Sequence, residues 1–280
     1  MPKPILPPKS NTVFQLLFGD PRNVDLLADF LQSVLDIPKD EYRDIVIVNP
    51  YLSREYPDKK LGIVDLRVKT RSGQTIHVEI QRDPVPAMRE RLIFYDSSLI
   101  AGQIGTGEEF RSLKRVISIL ITDYDLIHQS PLYHHCFTLY DRRAAVEFTD
   151  ILEIRTLELT KIPEVPDVYL CHWLRFLRAE TREELDMVAT ASPAIQKATA
   201  RVLELSDDER ARLISEYEFK ARDYERARLD YALEKGISKG RAEGRITFAR
   251  NLLKRNRPID EIAEDTGLSR DEIEKIRDNI

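Results

Sequence analysis

The spacing of apolar residues changes along the chain from a helical period to a strand period and back. Between Asn11 and Leu35 they recur three or four apart: Val13, Phe14, Leu17 and Phe18, then Leu26, Leu27, Phe30, Leu31 and Val34. Gly19-Asp20-Pro21 breaks the run, and proline is tolerated at a helix start but not inside one. Two helices joined by a short turn are predicted, with Asn11 as a good cap for the first. The period then shortens to two. Strands are predicted over Ile45–Val48, Leu61–Lys69 and Thr75–Gln81. The last two are joined by Thr70-Arg71-Ser72-Gly73-Gln74, which is short and carries a glycine, as a hairpin turn needs. A helix is predicted over 87–104, with Leu92, Tyr95, Leu99 and Ile100 on one side. Arg115–Ile121, His135–Tyr140 and Ile151–Leu159 read as further strands. Strands interrupted by a helix imply an α/β core.

From Val168 the pattern is mostly helical, and Trp173, Leu174, Phe176 and Leu177 form an apolar packing patch. The organisation read from the chain is a core over 11–165, a helical region over 166–234, a basic glycine-bearing helix or linker over 235–257, and a small helix-turn-helix-like segment over 258–280. Gly236, Gly240 and Gly244 recur every four residues in the third part, and each costs a helix roughly 1 kcal/mol against alanine. That part has eight basic residues and one acid; it is open to DNA backbone contact or to simple solvation. The last part has eight acids and three bases, and Ser269 with Glu272 spells a capping box. Its acidity favours helix packing over DNA contact.

The hairpin carries the candidate chemistry. Side chains alternate across a strand. Ile76, Val78 and Ile80 therefore take one face, and Thr75, His77, Glu79 and Gln81 the other. Pairing around Ser72 sets Lys69 against Thr75, Arg67 against His77, and Asp65 against Glu79. Opposed carboxylates repel, and a divalent cation removes that cost; hard oxygen ligands suit Mg²⁺, with Mn²⁺ as an alternative. The plain alternative is a solvated hairpin face of ordinary polar residues. Against it, Asp is depleted within strands, and the flanking apolar runs suggest central strands.

Composition narrows the classes. A chain 42% hydrophobic and 32% charged is too apolar for disorder and too polar for a membrane protein. No stretch approaches the roughly 18 apolar residues of a membrane span. The start, MPKPILPPKSN, lacks the apolar segment of a signal peptide, so a cytoplasmic location is expected. A net charge of -5 excludes a strongly basic nucleic-acid binder as a whole-protein description, though not a local metal-bearing site. Cys136 and Cys171 make neither a disulfide framework nor a zinc spacing, and Cys136 reads as a small core residue. His134 and His135 point opposite ways on a strand and make a poor metal pair.

The stretches VFQLLFGDPRNVDLLADFLQSVL, GIVDLRVKT with IHVEIQ, and RLIFYDSSLIAGQIGTGEEF with KRVISILITDY resemble the recombination-promoting nuclease and transposase family of the PD-(D/E)XK nuclease superfamily. The resemblance covers about residues 11–125 and implies a restriction-endonuclease-like α/β core, a mixed central sheet flanked by helices, with a helical C-terminal region. It places the family's strand Asp on Asp65 and its Glu-x-Gln on Glu79-Ile80-Gln81. Asp65, Glu79 and Gln81 would be catalytic, with Asp65, Glu79 and the Ile80 carbonyl holding the metal. The helical Arg-x-x-x-Tyr and a later Gln fall on Arg91, Tyr95 and Gln103, expected to bind substrate or shape the site. For Arg91 a salt bridge to Glu90, Glu79 or Asp65 is the structural alternative. One departure stands out: an acid and a lysine of the family's first helix are replaced by Asn11 and Gln15.

The resemblance implies a Mg²⁺-dependent DNA endonuclease hydrolysing phosphodiester bonds, linked to recombination or mobile-element activity, with DNA as partner, no membrane, and a homodimer as a plausible assembly for cutting both strands. The alternative is a degenerate nuclease fold that binds DNA or protein, favoured by Asn11 and Gln15. RNA cleavage would use the same chemistry, but no RNA-specific module is present in the sequence.

Overall fold

The computed structural model describes residues 4–48, 66–165 and 168–278. The chain divides into two units, Met1–Glu216 and Tyr217–Ile280.

The first unit begins with α1 (Asn11–Phe18) and α2 (Val24–Val34). The cap of α1 is Ser10, not Asn11: the chain is still extended at Ser10, whose hydroxyl accepts the Val13 N–H at 3.3 Å, and Asn11 is already helical. Next come β1 (Val46–Val48), β2 (Leu66–Lys69), β3 (Thr75–Gln81), α3 (Met88–Ala101), β4 (Val116–Thr122), β5 (His134–Asp141) and β6 (Val146–Glu158). Helices α4 (Tyr169–Arg178), α5 (Arg182–Ala189) and α6 (Pro193–Asp207) follow.

The sheet is mixed, in the order β1-β2-β3-β4-β6-β5. Strand β3 runs parallel to β4, and β4 to β6, while the other neighbours are antiparallel. A parallel pair needs a crossover, and α3 makes the one between β3 and β4. Both strands are buried on both faces, which accounts for the near-continuous apolar run of β4. On one face Ile76, Val78, Ile80, Ile117, Ile119 and Ile121 join a core built with α1, α2, α4 and α6. On the other, Leu120 packs with Met88 and Leu92 of α3.

Trp173 centres the larger core. Its ring is fully buried, 5.8 Å from the rings of Phe18 and Phe30 and 5.6 Å from that of Phe176. Its indole N–H donates to Asp29 Oδ1 at 2.7 Å, so the ring is buried without an orphaned donor. Cys136, in contrast, is exposed rather than in the core, because β5 is an edge strand.

Near the boundary of the units one helix, α7 (Glu209–Lys254), runs unbroken through Gly236, Gly240 and Gly244. In the second unit α8 (Ile259–Thr266) ends at Gly267, whose φ of +68° suits glycine. Helix α9 (Arg270–Arg277) starts with both halves of the Ser269–Glu272 capping box in place. Ala249, Ile262, Leu268 and Ile273 form the core of this unit. Among the described residues no helix is long and apolar enough to cross a membrane.

Replacing Trp173 by alanine is expected to lower unfolding stability by about 3–5 kcal/mol, the usual cost of emptying a large aromatic site. Urea melts followed by circular dichroism measure it; a loss under about 0.5 kcal/mol, typical of a surface change, would remove Trp173 from the centre of the core.

Candidate active site

The turn after β2 sets the register of the hairpin. Arg67 lies opposite His77 and Lys69 opposite Thr75, as the sequence pattern predicts. Asp65, the expected partner of Glu79, lies outside the described residues. Alternation along β3 turns His77, Glu79 and Gln81 toward the side covered by α3. The crossover therefore buries a face that polar residues occupy. His77 and Glu79 are not on a solvated surface: they are 0% and 1% exposed.

A carboxylate in such a place requires partners. Glu79 Oε1 accepts from the Gln81 amide at 2.8 Å and from the Arg91 guanidinium. Of the alternatives for Arg91, the ion pair is with Glu79. The two side chains differ in access, 35% exposed for Arg91 against 2% for Glu79, so Arg91 forms the rim and Glu79 the floor. Tyr95, one helical turn from Arg91, lies with its ring centroid 5.4 Å from the guanidinium carbon. Glu79 Oε2 is buried and has no hydrogen-bond partner among the described residues; His77 Nε2 stands 3.5 Å from it.

The other side of the His77 ring meets residues that the sequence pattern did not single out. Nδ1 lies 3.4 Å from Asp96 Oδ1 on α3 and 3.0 Å from Ser118 Oγ on β4, and the Ser118 hydroxyl donates to Asp96 Oδ1. Burial pushes the His77 pKa down, but Asp96 and Glu79 outweigh it and carry it up to about 9. Burial likewise raises the Glu79 pKa, and His77, Arg91 and Gln81 together bring it below the ordinary carboxylate value. The signal for Asp96 was its spacing: it follows Met88 by eight residues and Leu92 by four, on the buried stripe of α3. Ser118 was the polar residue inside the apolar run VISILI.

Of the remaining predicted residues, Gln103 stands apart from Glu79, while Ile80 turns its side chain to the core face, as the alternation predicts. Gln103 clasps the backbone of Lys114, donating to its carbonyl at 2.9 Å and accepting its N–H at 2.6 Å. Lys114 precedes β4, at the end where Val116 meets Thr75, whereas Glu79 meets Leu120. Gln103 thus closes the loop between α3 and β4 and is not brought to Glu79. Ile80 packs its side chain into the opposite core, beside Ile121 in the ladder.

Another buried carboxylate, Glu158, ends β6. Its Oε2 accepts the Leu126 N–H at 2.8 Å and meets Lys161 Nζ at 2.9 Å, which ties down the loop after β4; its Oε1 has no hydrogen-bond partner among the described residues and lies 3.7 Å from His135 Nδ1. Among the described residues no three His, Cys, Asp or Glu side chains group as a metal cage.

The family model described as PD-(D/E)XK nuclease family transposase matches residues 8–232. The chain belongs to this family. Comparison with curated proteins and with solved structures returns no match. Nucleases of the PD-(D/E)XK family generally use divalent metal ions. In this family member the group that suits a hard cation is one carboxylate oxygen, Glu79 Oε2, buried and without a hydrogen-bond partner among the described residues; the Arg91 guanidinium beside it is a cation and offers no ligand atom.

Arg91→Ala is expected to destabilise the fold by about 1–3 kcal/mol, since it leaves a buried carboxylate short of its main cationic donor. Combining it with Glu79→Gln should restore part of that loss. A double-mutant cycle by chemical denaturation reads the coupling; additive effects would mean that the pair is not formed in solution.

Proposed function

We propose that this PD-(D/E)XK family chain is a divalent-metal-dependent DNA endonuclease with Glu79 at its centre. The observation that carries the proposal is the Glu79 carboxylate itself: buried on a central strand, one oxygen held by Gln81 and Arg91, the other without a hydrogen-bond donor among the described residues. Glu79, Asp65 and the Ile80 carbonyl would hold the metal, with Mg²⁺ preferred and Mn²⁺ accepted. When bound, a cation of this kind offsets phosphate charge and lowers the pKa of a coordinated water.

The remaining work falls to the side chains. Gln81 donates to Glu79 Oε1 and so keeps the carboxylate turned toward the rim. Its amide oxygen can orient a water but takes no proton near neutral pH. Arg91 has a planar fork of donors, and only part of it is used by Glu79; the exposed remainder suits a DNA phosphate. Tyr95 backs the guanidinium and limits its swing. Gln103 supports the site from a distance by fixing the loop that returns the chain to β4. A cytoplasmic location, a setting in recombination and a homodimer that cuts both strands belong to the same proposal.

A second reading, a degenerate nuclease fold that binds DNA or protein, is favoured by Asn11 and Gln15 where the resemblance expects an acid and a lysine. Relaxation of supercoiled plasmid separates the two. The wild type is expected to nick DNA with Mg²⁺ or Mn²⁺ and not with EDTA, and Asp65→Ala and Glu79→Gln should fall to the EDTA background. Nicking retained in both variants would overturn the site. DNA binding without metal-dependent nicking would establish the second reading.

A further inference from the structure

We infer that Asp96 is a positioning residue for the Glu79 carboxylate, acting through the His77 ring, with Ser118 setting the position of Asp96. The inference rests on the proposal that Glu79 is a metal ligand, and it concerns groups that touch neither metal nor substrate.

The geometry is a chain of contacts across three elements. Asp96, wholly buried, projects from α3 toward the sheet. Its Oδ1 accepts from Ser118 on β4 and faces His77 Nδ1 on β3 at 3.4 Å. Ser118 and His77 are directly paired in the parallel ladder, so the hydroxyl is delivered by the register itself. On its far side the ring presents Nε2 to Glu79 Oε2 at 3.5 Å. With Nδ1 held by Asp96 and Ser118, the ring is oriented about its own bonds, and Nε2 is aimed at one chosen oxygen.

Stability alone is a poor reason for this arrangement. The flanking positions of the same α3 stripe are Met88 and Leu92, and they pack on Leu120. Apolar residues at Asp96, His77 and Ser118 would extend that cluster, and buried ionic groups are often no better for stability than well-packed hydrophobes of similar volume. The network is also incompletely satisfied: Asp96 Oδ2, His77 Nε2 and Glu79 Oε2 are buried without hydrogen bonds among the described residues. Its contacts lead to Glu79 Oε2, while Gln81 and Arg91 hold Oε1. The carboxylate is thus gripped on one oxygen from the rim and steered on the other from beneath. Metal-ligating carboxylates characteristically depend on such outer partners, whose loss costs about 10–100-fold in metal affinity or activity.

The test uses the full chain and titrates Mn²⁺ against wild type, Glu79→Gln, Asp96→Asn and Ser118→Ala, following free Mn²⁺ by electron paramagnetic resonance. Circular dichroism melts and plasmid-cleavage kinetics are recorded on the same samples. Wild type should bind Mn²⁺ and Glu79→Gln should not. Asp96→Asn preserves volume and should weaken Mn²⁺ binding about 10–100-fold, lowering kcat more than it raises the KM for DNA. Ser118→Ala should move affinity in the same direction by less, and it serves as the readout if Asp96→Asn does not fold. Wild-type affinity in the folded Asp96→Asn and Ser118→Ala proteins, beside loss in Glu79→Gln, would overturn the positioning role while leaving the metal site standing. A lowered melting temperature with unchanged affinity would overturn it equally and make the network structural only. If Glu79→Gln binds Mn²⁺ as the wild type does, the reading of the site fails and the inference falls with it.

Discussion

An ionised carboxylate on a strand covered on both faces is the constraint around which this fold is arranged. Glu79 lies on β3, with an aliphatic core behind it and α3 in front. A bare charge there would be too costly to keep. It is kept because Gln81, Arg91 and His77 converge on it, and because His77 is in turn flanked by Asp96 and Ser118. Two acids and two bases alternate through the cluster, so no member is left as an uncompensated charge. The consequence is a carboxylate held ionised, with one oxygen short of a hydrogen-bond partner among the described residues. The proposal that Glu79 holds a divalent cation rests on that oxygen.

The topology makes this cluster unavoidable. A parallel neighbour for β3 demands a crossover, and α3 lands on the polar face of the hairpin rather than leaving it to solvent. Arg91 and Tyr95 are carried to the rim by the same helix that carries Asp96 to the interior, one residue beyond Tyr95. Gln81 closes β3, so the rim sits toward the carboxyl end of that strand, where open α/β sheets place their ligands. Gln103 completes the unit at the far end by pinning the return to β4. The helices on the opposite face, centred on Trp173, back the sheet from the other side.

Much of this was readable in the chain. Turn length and alternation were sufficient for the β2–β3 register, because a short loop leaves few pairings open. The Ser269–Glu272 box was legible as capping because it depends on near neighbours, and Trp173 as packing because it lies in a local apolar patch, although its partners Phe18 and Phe30 are distant in sequence. What failed was non-local or one residue fine. Periodicity does not give strand order, so the exposure of Cys136 on an edge strand was not visible. Asn11 and Ser10 are both good caps, and only the backbone angles choose between them. Asp96 was hidden for a different reason: a charged residue on an apolar stripe reads as noise until its partner on another element is known. Gln103 entered by resemblance, and its place shows a side chain that holds a loop rather than one that meets Glu79.

The central claim is that Glu79, rather than another buried carboxylate such as Glu158, holds a divalent cation. Crystals of the full chain soaked in Mn²⁺ and measured for anomalous scattering test it directly. The account requires a peak within coordination distance of Glu79 Oε2, absent from crystals of Glu79→Gln. A peak at Glu158 instead, or an unchanged peak in Glu79→Gln, would contradict it.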